Sequence, residues 1–392
     1  MGDQQMRSSL EDLEGFTFDE VPWTTPKPLA DSRVAIVTTA GLRPAGGDGA
    51  DWNPGDQAMQ LLPASADGLV LAHFSPNFDR TGWIVDPNLV FPIDRLAEMA
   101  DEGAIGSVAD VHVSFMGAQI DHTLETIRLD TGPAAARALL DDDVDLVLLT
   151  PVCPLCTRTV GTLASVLEDA GLATVALSSI RGQVVTTRPP RALHCDFPLG
   201  RPLGRPGDPV IQRRVLDAAF ALLDEPTGPV LVDFPEAIAD EADTPLSCAI
   251  PPADPGDVHP AEAEARGLLP AWRRSHERFG RTTVGKVVDA DGVPAAVGLF
   301  ARIAAGEGWK DVGMPGDPTK VANDIRNFYE EAALSLTDAL PGARQAESWY
   351  VSHTRAGDAV QRARLAMKDA GAGFYFWNYL LPMTQHRDPD AA

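Results

Sequence analysis

The stretch Val144–Gly161, VDLVLLTPVCPLCTRTVG, decides the fold. It opens as a short apolar run, Val144 to Leu149, between the acidic cluster Asp141–Asp143 and the pair Thr150-Pro151. A run of that length and character reads as a buried parallel strand. Cys153-Pro154-Leu155-Cys156 follows at once. Thr157 to Ala170 then carries Val160, Leu163, Val166 and Leu167 at roughly helical spacing and stops at Gly171. A C-x-x-C therefore stands where a strand hands over to a helix. With Cys153 as N-cap, Pro154 takes the first helical position, where its missing N–H does no harm. The free amides and positive end of the helix then face the Cys153 sulfur and favour thiolate over thiol, and Arg158 adds a nearby positive charge. This reading requires the Cys153 sulfur to be ionised and reachable.

Two other readings compete. Free cysteine is a common buried apolar residue, so the pair could simply pack. A metal site is the third reading, but a structural zinc needs four ligands, generally two such pairs. Only His194-Cys195 could complete one, and adjacent residues are poor partners for a tetrahedral site. A C-x-x-C beside a βα unit weighs toward redox or nucleophilic chemistry.

The whole chain sets the bounds. Its 392 residues are enough for two or three domains and a large core. The formal charge, 32 − 56 = −24, argues against a nucleic-acid partner, because no basic patch exists to neutralise phosphates. It argues equally against an anionic membrane surface. Four cysteines in so long a chain do not make a disulfide framework, and a C-x-x-C fits a reducing compartment. No basic start with an apolar core marks a signal peptide, and no apolar run approaches the ~20 residues of a membrane span. A cytoplasmic location is the expectation.

Residues 1–32 read as a polar, partly extended arm on the first domain. Val34–Thr39 is the first buried strand. It runs into Gly41 and the loop Gly46-Gly47-Asp48-Gly49, which lacks the following helix that a phosphate-binding loop needs. Further strands are expected at Gly68–Phe74, Val111–Met116, Ala173–Leu177, Ala192–Cys195 and Val230–Phe234. Helices are expected at Pro92–Ala100, Thr131–Leu140 and from Pro209, capped by Asp208, through Leu223. Strand and helix alternate, which argues for an α/β class of parallel-sheet, Rossmann-like domains. Three regions are expected: 1–140, an N-terminal α/β domain with the arm; 141–240, an α/β domain carrying the C-x-x-C; and 255–392, a mostly helical C-terminal region. In that last region helices are expected at Ala261–Phe279, Pro318–Leu336 (capped by Asp317) and Asp358–Asp369, and residues 236–258 read as a linker. Parallel sheets place their sites at the carboxyl ends of strands. The polar residues there are Thr38-Thr39, His73, Asp121-His122, Cys153, Ser178-Ser179 and Asp196.

These residues carry a resemblance. The stretches Val21-Pro22-Trp23, RVAIVTT, DPNLVFPIDRL, SFMG, VDLVLLTPVCPLCTRTVG and RPPRALHCDFPLGRPLGRPGDP resemble the component B selenoprotein family of glycine, sarcosine, betaine and D-proline reductases, in a cysteine-only form. DPTKVANDIRNFYEEAALS is also similar. The resemblance implies a selenocysteine position at Cys153, with Cys156 as the following cysteine. In the family that residue attacks the substrate and expels an amine, and the product passes to a small thiol/selenol partner. A pyruvoyl subunit that activates amino-acid substrates there is not part of this chain.

The expected function is that of a thiol-dependent oxidoreductase. Cys153 attacks a small polar substrate. Cys156 resolves the adduct by disulfide formation, cleaving a C–N or similar bond. No cofactor is expected to be bound. An external thiol or dithiol reductant is implied, through a thioredoxin-like protein or a small thiol/selenol partner, and a homo-oligomer is compatible. The catalytic set is Cys153, Cys156 and His122, with His122, His73 or His112 able to serve as general acid. The substrate-binding set is Arg158, His73, His112, Asp196 and Arg205, with the arginines suited to a carboxylate. The alternatives are a C–S bond-forming biosynthetic enzyme and a non-catalytic redox-sensing or binding subunit.

Overall fold

A computed structural model describes residues 3–46, 52–252 and 256–387. Most of the glycine-rich loop, residues 47–49, lies outside the described residues, as do 253–255 of the expected linker. The chain divides into two compact units: one of residues 4–74 and 85–239, the other of residues 1–3, 75–84 and 240–392.

The first unit is built on one sheet. Its strands are β1 (Arg33–Thr38), β2 (Met59–Pro63), β3 (Val111–Phe115), β4 (Leu146–Thr150), β5 (Ala173–Ser178), β6 (Arg191–His194) and β7 (Val230–Asp233). They lie in the order β7-β6-β5-β4-β1-β3-β2, and a two-residue strand, Ser107–Val108, also pairs with β1. Every pairing is parallel except β2 with β3. The apolar runs read from the sequence are thus the central strands. β4 is buried along its length, as a strand covered on both faces must be. Gly68–Phe74 departs from expectation. Only Leu69–Leu71 is a strand, and it pairs with Leu42–Pro44 in a separate antiparallel ribbon. The run is too short to reach the main sheet, and His73 follows the ribbon.

The longer helices of this unit include α1 (Ile93–Asp101), α2 (Gly132–Leu140), α3 (Cys156–Asp169), α4 (Arg181–Thr187) and α5 (Pro209–Phe220). Alternate strand residues, Ala35 and Val37 of β1 with Val147 and Leu149 of β4, share one apolar cluster with Leu139 of α2 and Leu163 of α3. Asp208 caps α5 as expected, its side chain accepting from the Ile211 N–H at 3.1 Å. The order of strands reverses between β1 and β4: the chain first builds outward to β3, then returns to the opposite side of β1. A switch of that kind leaves a crevice at the carboxyl ends of the two strands.

The second unit is helical. α6 (Pro260–Phe279), α7 (Val293–Ala304), α8 (Pro318–Leu336), α9 (Gln345–His353) and α10 (Arg355–Asp369) share a core that includes Phe300, Ile325, Phe328, Tyr350 and Val360. Asp317 caps α8, accepting from the Thr319 N–H at 2.7 Å. The Asp324 carboxylate accepts from the N–H groups of Gly285, Lys286, Val287 and Val288 and so fixes the turn after α6. No helix among the described residues is long and apolar enough to cross a membrane.

Candidate active site

The crevice at the β1/β4 switch is occupied by sulfur. β4 ends at Thr150, and three residues later the chain turns at Cys153. Helix α3 begins at Cys156 with Leu155 as its N-cap, so Cys153 is not the cap and Pro154 is not the first helical residue. The turn closes through the Cys156 N–H, which donates to the Cys153 carbonyl at 3.0 Å. It brings the two sulfurs to 2.7 Å. The His73 Nε2 lies 3.7 Å from the Cys156 sulfur, and the Thr39 carbonyl oxygen at the end of β1 lies 3.6 Å from it.

The two thiols differ in their electrostatics. Burial, and the proton that it shares with Cys156, push the Cys153 thiol well above the ordinary range. Burial opposes ionisation of Cys156 as well, but hydrogen bonds from Cys153 and His73 hold it well below that range. Of the two thiols, Cys156 is thus the one whose ionisation its neighbours favour. The remaining cysteines are ordinary thiols: burial alone raises the buried Cys195 and the half-buried Cys248, the latter to about 11.

Both sulfurs have no exposed surface, so the expected reachable Cys153 is not present in this conformation. Their surroundings are nevertheless polar. Thr39 Oγ1 donates to the Thr150 carbonyl at 3.1 Å, and Thr159 Oγ1 donates to the Gly117 carbonyl at 2.7 Å. The Ser179 N–H donates to Thr157 Oγ1 at 3.2 Å. Gly117 has no room for a side chain: a Cβ there would meet the Cys156 sulfur and the Thr39 Cβ at 2.5 Å each.

The arm covers the turn. Gln183 of α4 is fully buried, donates to the Pro154 carbonyl at 2.8 Å and to the Leu10 carbonyl at 3.3 Å, and accepts from the Arg158 N–H at 3.1 Å. The Glu11 carboxylate takes the Gly182 N–H at 2.6 Å. Arg7 pairs with Asp196. Residues 7–14 are thus tied to the elements on either side of the C-x-x-C.

The other expected site residues are dispersed. Arg158 is buried and donates to Asp121 at 2.9 Å, to the Glu14 carbonyl at 2.8 Å and to the Gln119 carbonyl at 2.7 Å. With Asp12, Phe16 and Leu124 it lines a cavity of about 440 Å³. His122 is exposed in the short helix Asp121–Thr126. His112 is buried in β3, where its Nδ1 accepts from the Ile36 N–H at 2.9 Å and burial lowers its pKa to about 4. It serves the sheet. Asp196 is half exposed and held by Arg7. Arg205 is exposed, and its carbonyl accepts from Gln212. Sequence reasoning missed Thr39 as a backbone partner, and it missed Gly117 and Gln183. The SFMG motif was the one signal pointing at Gly117.

Fold and site define an α/β protein with a dithiol and an imidazole at the switch point of a parallel sheet. Residues 11–152 match the profile of the glycine/sarcosine/betaine reductase selenoprotein B family, stopping one residue short of Cys153. The chain is 30% identical over 217 residues to the D-proline reductase subunit gamma of Acetoanaerobium sticklandii, covering 54% of this chain and 88% of that subunit. It is 31% identical over 227 residues to the sarcosine reductase complex component B subunit beta of Peptoclostridium acidaminophilum, and 27% identical over 223 residues to the glycine reductase complex component B subunit gamma of Symbiobacterium thermophilum. Each of those two matches covers 54% of this chain and 50% of the relative, so the chain spans about half the length of the sarcosine and glycine subunits. No solved structure matches significantly. The chain belongs to the glycine/sarcosine/betaine reductase selenoprotein B family.

Proposed function

We propose that the chain is the thiol subunit of a reductase that cleaves a C–N or similar polar bond of a small substrate. The observation that carries this reading is the pair of sulfurs 2.7 Å apart, with His73 beside them, at the sheet's switch point. Kinship with reductase component B subunits supports it independently.

The chemistry follows from the pair. Cys153, at the position that the resemblance gives to the selenocysteine, passes its proton to Cys156 as its sulfur attacks the substrate carbon, with His73 beside Cys156. The leaving group departs with the bonding electrons and takes that proton, leaving Cys156 as a thiolate. Cys156 then attacks the Cys153 sulfur, the carbon leaves as a carbanion equivalent and is protonated, and a disulfide remains. The substrate gains two electrons and two protons, and the dithiol is oxidised by two electrons. An external dithiol, a thioredoxin-like protein or a small thiol/selenol protein, restores the pair. Disulfide closure needs little movement, because bonded sulfurs sit about 2.05 Å apart.

Intact mass spectrometry of the Cys153→Ser and Cys156→Ser variants with candidate amino-acid-derived substrates tests the scheme. The Cys156→Ser variant should trap a substrate fragment on Cys153, and the Cys153→Ser variant should trap none. The reverse pattern exchanges the two roles. No adduct in either variant, with turnover also absent in the wild type across those substrates, would remove the reductase reading.

A further inference from the structure

The same three side chains suggest a second kind of occupant. We propose that the reduced C-x-x-C and His73 form a binding site for one divalent d10 metal ion of the zinc type, which holds the dithiol in an inactive form. The proposal concerns regulation of the thiol site described above and stands whether or not that site turns over substrate.

The donor atoms of His73, Cys153 and Cys156 all lie within 4.8 Å of one another. Zinc binds thiolate sulfur at about 2.3 Å and imidazole nitrogen at about 2.0–2.1 Å, so tetrahedral donors sit roughly 3.5–3.8 Å apart. The Cys156 sulfur and His73 Nε2, 3.7 Å apart, already have that spacing. The two sulfurs, at 2.7 Å, must open by about 1 Å, within reach of a side-chain rotation in the turn. The fourth ligand that the sequence could not supply from His194-Cys195 is unnecessary here. Two cysteines and a histidine with one open position is a recognised zinc arrangement.

Ligand softness selects the metal. The set holds two sulfurs, one imidazole and no carboxylate, which favours zinc over magnesium or calcium. Charge selects the valence. Two thiolates, a neutral imidazole and a divalent ion sum to zero, and a net-neutral centre is what a fully buried site tolerates. Binding takes both sulfurs as thiolates and changes no oxidation state. It is mutually exclusive with disulfide formation, because both sulfurs are ligands.

Titration of the reduced, metal-stripped full chain with Co²⁺, then with Zn²⁺ against a chromophoric chelator, tests the site. The expected result is one equivalent bound, a tetrahedral cobalt–thiolate spectrum, and loss of that binding in His73→Gln and Cys156→Ser but not in Cys195→Ser. Oxidising the wild-type pair with diamide should abolish binding, which keeps the test independent of how the variants fold. Binding that survives diamide, an octahedral spectrum, or no binding to the reduced wild type each overturns the proposal. Because the readout is metal occupancy, failure here leaves the substrate-adduct experiment unaffected.

Discussion

Gly117 sets the space in which the Cys156 sulfur sits. A single methyl there would overlap the sulfur and Thr39, and the backbone of both neighbours is pinned, Thr39 by the Thr150 carbonyl at the end of β4 and Cys156 by the Cys153 carbonyl. Gly117→Ala should cost about 1–3 kcal/mol by overpacking and displace Cys156 from His73. Urea unfolding reads the first effect, and a slower reaction of Cys156 with iodoacetamide reads the second. An unchanged rate would mean that the sulfur has room to spare. His112 makes a different prediction, about pH. Its folded pKa, about 4, lies below the ordinary 6.5, so the unfolded chain takes up the proton first. Above pH 6.5 the residue is neutral in both states and contributes no pH dependence. As pH falls from 6.5 toward 4, stability is lost. His112→Asn keeps an acceptor for the Ile36 N–H but cannot titrate. Between pH 7 and pH 5 the wild type should lose about 2 kcal/mol more than this variant, measured by the urea midpoint. Equal losses would contradict the assignment. These residues also show what a sequence conceals. The C-x-x-C is legible because its spacing and position are local. His73 was legible as a strand-end site residue, but not as the partner of Cys156, because it arrives from 83 residues away on a short ribbon. His122 and Arg205 looked equally eligible and are exposed.

At the scale of elements, the central strands were readable because burial on both faces makes them uniformly apolar, as Leu146–Thr150 is. Met59–Pro63 was not readable. As an antiparallel edge strand it is half exposed and lacks an unbroken apolar run. Helix α7, an apolar run buried over most of its length, was not among the expected helices. The arm was expected as a polar extension, and its function as a cover emerges only from its hydrogen bonds. Because the sulfurs are sealed, reagents reach them only when these contacts open. Arg7→Ala removes the Arg7–Asp196 pair, a half-exposed ion pair worth roughly 0.5–1 kcal/mol. Alkylation of the dithiol should accelerate about two- to fivefold with no comparable loss of global stability. If the rate is unchanged, the arm is not what limits access. Behind the site, Glu168 of α3 and Arg191 of β6 form a fully buried pair at 2.6 Å, and Arg191 stacks on Trp23 at 3.7 Å. The later part of the arm and the end of the cysteine helix therefore share one anchor.

On the scale of the whole molecule, the two units have separate cores, one of sheet and helix, one of helices alone. The dithiol belongs wholly to the first. Calorimetry should resolve two transitions, and diamide oxidation should raise the α/β transition by a few degrees and leave the helical one in place, because a short disulfide loop contributes up to about 2 kcal/mol locally. A single transition that moves as a whole would show the units melting together. Enclosure of the sulfurs has a kinetic consequence. When a nucleophile must be uncovered before it reacts, the clock of the cycle is a motion of the backbone and not the breaking of a bond. On the proposed reductase reading, substrates with good and poor leaving groups should then turn over at one common ceiling, and raising solvent viscosity with glycerol should lower that ceiling for all of them alike.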